Sequence, residues 1–206
     1  SIITFVAYLF LFSPELRKLD DLSKVIKGDK GEVLRVYLNS KDKYRIPANF
    51  ERLNQNYLDM LIEYEDKRFY QHFGFDPLAI TRATFQYAKN GEILSGASTI
   101  TMQLVRMLEP KDRNIFSKIS EVIKAVQIEL KFTKKEILEM YLTLTPYGGN
   151  IEGIEAASQF YFNKNSKELN KLEAALLVGL PQSPTYLRPD RHPERALKQR
   201  NKIITR

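Results

Sequence analysis

The chain has 206 residues, 43% of them hydrophobic and 28% charged, with a formal net charge of +7. That length and balance describe one folded domain, or a core with a small appendage, large enough for a substantial interior. The absence of cysteine excludes a disulfide framework, thiolate chemistry and Cys-ligated zinc, and with only two histidines, His72 and His192, a His-rich metal site has too few donors. The positive balance points to an anionic partner, and charge alone leaves nucleic acid, a phosphorylated substrate and an acidic membrane surface all open.

Ile2 to Phe12 is apolar and aromatic without one charge, and it stops at Ser13-Pro14. It is shorter than the roughly 20 residues of a spanning helix, and reads either as the last part of a transmembrane helix or as a core helix. The charged stretch that follows favours the membrane. Residues 14–49 read as a linker and a hairpin, in which Val33–Asn39 pairs with Tyr44-Arg45-Ile46 across a turn at Ser40–Lys43.

From about Leu53 the chain reads as helical. Leu58, Leu61 and Ile62 make a stripe at i, i+3 and i+4, and the i+7 position of that stripe is Glu65. A carboxylate in a partly desolvated position is how a fold makes a general base that works near neutral pH. The alternative is that the helix ends there and Glu65 faces water. Phe69 and Phe73 read as anchors of the following turn, and His72 as a hydrogen-bonding brace rather than an acid or ligand.

Asp76-Pro77 has the form of an N-cap followed by proline at the first helical position, with a helix to about Tyr87. Asn90-Gly91 breaks it, and a polar loop runs to Gly96. Ser98 reads as the cap of a helix ending near Leu108, with Thr99, Gln103 and Arg106 on one face and Ile100, Leu104, Met107 and Leu108 on the adjoining buried one. Hydroxyls and free backbone N–H groups at a helix start favour an anion. An ordinary capped amphipathic helix has the same look.

A helix over Ile115–Phe132 carries a predicted core stripe of Ile119, Val122, Val126 and Leu130. A second apolar face, Ala125, Ile128 and Phe132, leads back to Lys118 and Glu121. That pair is either covered or a plain surface ion pair. Helices over Lys134–Leu142, Ile151–Phe162, Leu172–Gly179 (capped by Asn170 with Glu173) and Glu194–Arg206 complete the chain.

At this point the motifs can be set against a family. Glu-Asp-x-x-Phe-x-x-His-x-Gly at Glu65–Gly74 resembles the first signature of the peptidoglycan glycosyltransferases, glycosyltransferase family 51. Gly96-Ala97-Ser98-Thr99-Ile100-Thr101-Met102-Gln103 resembles the second, Lys118-x-x-Glu121 the third, and Lys134–Leu142 the fourth. Ser117 stands where the third motif usually has arginine, and Thr143 where the fourth has asparagine. Gly153–Ala157, Tyr161-Phe162 and Leu180–Pro184 extend the likeness. Pro146–Gly149 and Leu187–Arg191 look most like the 1C type of the class A penicillin-binding proteins.

The resemblance implies a mainly α, lysozyme-like helical domain over residues 50–206, with a small membrane-associated jaw at about 77–95 and a short N-terminal β-hairpin. It implies processive, inverting polymerisation of lipid II. Glu65 would act as general base and Glu121 as the second carboxylate. Ser98, Thr99, Gln103, Arg106, Arg113 and Lys118 would bind the lipid pyrophosphate donor, while Asp66, Phe69, His72 and Gly74 would support the site. No cofactor is required on this reading, although magnesium or manganese at Glu121 stays open. Partners would be lipid II, the growing glycan and the membrane, not nucleic acid. The domain would lie on the outer side of the bacterial cytoplasmic membrane, followed by a transpeptidase domain in the full protein. Ser40-Lys41-Asp42-Lys43 matches Ser-x-x-Lys by letter only, since no Lys-Thr-Gly partner follows. A peptidoglycan-cleaving enzyme of the same fold and a non-catalytic membrane-binding module are the competing readings.

Overall fold

The computed structural model describes residues 14–29, 31–90, 98–112 and 114–205. The expected membrane segment Ile2–Phe12, the loop to Gly96 and Arg113 lie outside them. Among the described residues no helix is long and apolar enough to cross a membrane. The chain divides into two compact units. One comprises Glu65–Ile137 with the described chain start up to Glu15, and the other comprises Leu16–Tyr64 and Leu138–Arg206.

The second unit contains the strands. β1 (Val25–Lys27) and β2 (Val33–Val36) form an antiparallel hairpin, with Val25 opposite Val36. β3 (Tyr44–Arg45), β4 (Pro146–Gly148) and β5 (Ile151–Glu152) form a small sheet in the order β3-β5-β4, in which β3 runs parallel to β5. The hairpin expected between Val33–Asn39 and Tyr44–Ile46 is therefore wrong in its partners. Asn39 closes the intervening turn, its Oδ1 accepting from the backbone N–H groups of Lys41 and Lys43 at 3.0 and 2.9 Å. Beyond that turn the Tyr44 N–H bonds the Asn150 carbonyl, and β2 is taken by the earlier strand β1.

Helix α1 (Gln55–Glu65) starts behind Asn54, whose Oδ1 accepts from the Tyr57 N–H at 3.2 Å. Leu58 and Leu61 are buried as the stripe requires, and Tyr57 joins them, its hydroxyl 2.8 Å from that of Tyr147. Ile62 is only half-buried. The helix predicted over Ile151–Phe162 begins later, as α6 (Ile154–Phe162), because Ile151 and Glu152 belong to the sheet. Gly153 links the two at φ +90°, where a Cβ would come within 2.8 Å of the Thr143 carbonyl oxygen. α7 (Lys171–Gly179) opens with the predicted capping box of Asn170 and Glu173, and α8 (Pro193–Ile204) follows the proline-rich crossing. α5 (Lys134–Leu144) spans the division between the units.

The first unit holds α2 (Pro77–Asn90), α3 (Ile100–Leu108) and α4 (Ile115–Lys131). Asp76 caps α2 as expected, accepting from the Ala79 N–H at 2.9 Å, and Arg68 pairs with the same carboxylate. The cap of α3 is Thr99, one residue later than expected. On α4 the predicted core stripe fails: Ile119 and Leu130 are 53% and 60% exposed, whereas Ala125 and Ile128 are buried. Residue 125 is the contact point for Gly74, which at φ +88° lies so close that a Cβ would sit 2.6 Å from the Ala125 carbonyl carbon. That packing buries the face of α4 that leads to Glu121.

Candidate active site

Glu65 is the last residue of α1 and is half-buried. Its Oε2 accepts a hydrogen bond from Gln103 Nε2 at 2.8 Å. The neighbouring Asp66 is 7% exposed, and its carboxylate receives the backbone N–H of Ile100 at 2.9 Å while both oxygens lie 3.0 Å from His72 Nε2. Two consecutive acidic residues thus hold the same helix, Asp66 at its first residue and Glu65 one turn on.

The supporting turn is built as the chemistry of its residues allows. Phe69 is fully buried, with Lys134 Nζ 4.4 Å from its ring centre. Lys134 also donates to the His72 carbonyl at 2.7 Å and to Glu129 at 2.8 Å. Phe73, expected as a second anchor, is 73% exposed. Gly74 leaves its carbonyl to the Thr99 hydroxyl at 2.6 Å. Thr99 departs from the expectation of a donor-lining hydroxyl. At 3% exposure its oxygen caps α3 by accepting from the Met102 N–H and at the same time donates to Gly74. Ser98, relieved of the cap, turns its hydroxyl to Lys118 instead.

A cleft of about 520 Å³ opens beside these residues, lined by Ser98, Arg106, Lys111, Asn114, Lys118 and Glu121 among others. Glu121 stands at its centre of charge. Arg106 grips the carboxylate in a two-point bond, Nε to Oε1 at 2.8 Å and Nη2 to Oε2 at 2.9 Å, and Lys118 Nζ reaches Oε2 at 3.2 Å. Lys118 also donates to Ser98 Oγ at 2.7 Å. The Lys118–Glu121 spacing was legible in sequence, while the Arg106 contact across fifteen residues was not. Lys111 and Asn114 carry no motif signal; Asn114 caps α4 by accepting from the Ser117 N–H.

Burial works to raise the Glu121 carboxyl, but the Arg106 bond and the Lys118 charge outweigh it and hold it below the usual range. A depressed carboxylate contributes fully above its ordinary pKa, and the contribution is lost as pH falls through the lowered value. The Glu121 bond in turn raises Arg106, so that cation persists at any working pH. Lys118 moves the other way: burial pushes its ammonium below the usual lysine range, although Glu121 pulls it upward. Its charge is therefore lost at a lower pH than that of a free lysine. Inorganic pyrophosphate should bind progressively more weakly as the solution is made alkaline, and Lys118→Arg should flatten that loss. Calorimetric titration at a series of pH values checks it; a parallel decline in both proteins would contradict it.

Both oxygens of Glu121 are engaged by cations, and among the described residues no group of three or more His, Cys, Asp or Glu side chains could hold a metal ion. What the arrangement suits is an anion set against a carboxylate. α3 carries Gln103 on Glu65 and, three residues on along the same face, Arg106 on Glu121.

Comparison with known proteins agrees with this chemistry. Residues 29–206 match the family model described as Transglycosylase. The chain is 40% identical over 184 residues to penicillin-binding protein 1C of Escherichia coli (strain K12), covering 89% of this chain and 24% of that protein. It is 39% identical over 173 residues to penicillin-binding protein 1A of Aquifex aeolicus, with 84% and 24% covered. The crystal structure of penicillin-binding protein 1A from Haemophilus influenzae aligns with a TM-score of 0.47 at 21% identity, over 89% of this chain and 18% of that one. The chain thus spans about a quarter of the length of the curated relatives it matches. It belongs to the Transglycosylase family, the peptidoglycan glycosyltransferases that its motifs resemble.

Proposed function

We propose that this domain polymerises lipid II into β-1,4-linked glycan by inverting transfer, with Glu65 as the general base. The observation that carries the reading is α3, which joins a half-buried carboxylate to a cationic cleft through Gln103 and Arg106. In the step proposed, the acceptor 4-hydroxyl oxygen attacks the anomeric carbon of the lipid-linked donor. Its proton passes to Glu65, the bond from the anomeric carbon to the pyrophosphate oxygen breaks, and the polyprenyl pyrophosphate leaves with the electron pair. That leaving group needs cations rather than a strong acid, and Arg106, Lys111 and Lys118 supply them. Arg113 joins this group by its place in the motif. Glu121 keeps Arg106 and Lys118 in position.

A lipid tail also needs an apolar surface where the pyrophosphate sits. Ile115, a cleft residue, is 67% exposed, and Phe116 and Ile119 beside it are 79% and 53% exposed. On α2, Leu78 and Phe85 are 64% and 70% exposed, in the segment assigned to the jaw. These support attachment to the outer face of the bacterial cytoplasmic membrane. The relatives' names favour a transpeptidase domain accompanying this one in the full protein.

Supplying lipid II and finished peptidoglycan separately tests the reading. Polymer formed from lipid II, with finished glycan left intact, is the expected result. Products from finished peptidoglycan alone would replace the synthase with a cleaving enzyme of the lysozyme type.

A further inference from the structure

A second cavity, of about 780 Å³, is larger than the cationic cleft and takes no part in the proposed reaction. It lies wholly within the unit of Leu16–Tyr64 and Leu138–Arg206. Its apolar lining comes from Val25 and Val33 of the β1–β2 hairpin and from Ile46-Pro47, which follow β3. Two short turns set cations against that surface. Arg52 ends the turn Phe50–Arg52, capped by Asn49, whose Oδ1 accepts the Glu51 N–H at 3.0 Å. Lys167 lies in the turn Ser166–Glu168, where Glu155 takes both the N–H, at 3.2 Å, and the hydroxyl of Ser166. Asn54 joins the two turns: two residues beyond Arg52, it donates through Nδ2 to the Lys167 and Leu169 carbonyls at 3.0 and 2.8 Å.

The frame is bonded, but the side chains that it presents are not. Among the described residues neither the Arg52 guanidinium nor the Lys167 ammonium has a hydrogen bond or ion pair, and the same holds for the side-chain amides of Gln159, Asn163 and Asn165 at the end of α6. Of the other charges in the lining, Glu155 is committed to Ser166 and Lys164 to Glu173 at 2.7 Å, which leaves Glu32 and Glu168 with Lys27. Cations pair with carboxylates, amides with the N–H and C=O groups of a peptide backbone, and the apolar lining with small aliphatic side chains. The volume is that of a small-ligand site, so it takes a few residues of peptide and not the face of a protein.

We propose that this cavity binds a short acidic peptide, the peptide stem borne on the glycan, with Arg52 and Lys167 holding its carboxylates. The inference rests on the reading of lipid II as the substrate. The sugars offer hydroxyls and acetamides, which do not call for two cations; the carboxylates belong to the peptide.

The test is calorimetric titration with a soluble, uncross-linked disaccharide-peptide released from peptidoglycan. The unmodified protein should bind it, and the variant carrying both Arg52→Gln and Lys167→Gln should bind it about tenfold more weakly or worse. Amidating the peptide carboxyls should weaken binding to the unmodified protein by a similar factor. Both side chains are exposed, so the thermal midpoint of the variant should be close to that of the unmodified protein. If the double variant fails to fold, the two single variants carry the comparison. Absence of binding would overturn the proposal, as would equal binding by the double variant. Binding that survives amidation or removal of the peptide would overturn it in favour of sugar recognition. Tighter binding of hexaglutamate than of the disaccharide-peptide would overturn it in favour of an acidic protein segment. The two readings fail separately: an unmodified protein that does not polymerise lipid II removes the synthase, whereas one that polymerises lipid II and ignores the disaccharide-peptide removes only this site.

Discussion

Glu65→Gln should lower the rate of lipid II polymerisation by about 10²- to 10⁴-fold, the range over which a positioned general base contributes. The substitution keeps the shape of the side chain and replaces an oxygen that can take a proton with an amide that cannot. Its carbonyl oxygen can still accept from Gln103 Nε2, now at 2.8 Å from Glu65 Oε2, so that hydrogen bond at the end of α1 is kept. The thermal midpoint should move by no more than a surface substitution moves it. Gel separation of polymer from labelled lipid II reads the activity, and near-normal polymer yield would remove the central assignment. Binding of the donor should persist in this variant, because the cations of the cleft are untouched. Loss of binding with loss of activity would show instead that Glu65 shapes the substrate site.

The order of effects around the cleft follows from what each group is bonded to. Glu121 is gripped by Arg106 and Lys118 and sits below the ordinary carboxylate range, so it is a poor proton acceptor and a good anchor. Glu65 accepts a hydrogen bond from a neutral amide, Gln103 Nε2, at 2.8 Å. The two carboxylates thus meet different partners on α3, an amide at Glu65 and a guanidinium at Glu121.

Much of this was legible in the sequence wherever the signal was local. The Asp76 cap, the capping box at Asn170 and the Lys118–Glu121 spacing are each set by residues within a single turn, and the structure keeps all three. The motif at Glu65–Gly74 was readable as a unit because its braces, Asp66 to His72 and buried Phe69, lie within it. What failed depended on distant partners. Val33–Val36 could pair equally well by pattern with either neighbour, and β1 took it, while Tyr44–Arg45 joined a strand more than a hundred residues later. The two apolar faces of α4 were indistinguishable by period. Only the close approach of Gly74 at Ala125 decides which is covered. Ser98 and Thr99 are both good caps, and Thr99 wins because its hydroxyl can reach the Gly74 carbonyl as well.

Arg45→Met is expected to destabilise the unit formed by Leu16–Tyr64 and Leu138–Arg206 by about 3–5 kcal/mol, the usual penalty for removing one partner of a buried ion pair. The Arg45 side chain is 1% exposed. Its Nε donates to Glu152 Oε2 at 2.9 Å, and its Nη1 donates to the Lys18 and Asp21 carbonyls at 2.7 and 2.8 Å. Methionine fills most of the space but leaves two carbonyls and the Glu152 carboxylate without their donor. Lys43, 4.0 Å from Glu152, is too distant to replace a two-point bond. Because β3 and β5 are the strands that Arg45 and Glu152 occupy, the loss falls on the parallel pairing that the sequence did not reveal. Adding Glu152→Leu should recover a large part of the stability, since an apolar pair of similar volume carries no desolvation penalty. Urea unfolding of both variants separates the outcomes: equal losses in the single and double variants would mean that the carbonyl contacts, and not the ion pair, hold the linker to the sheet.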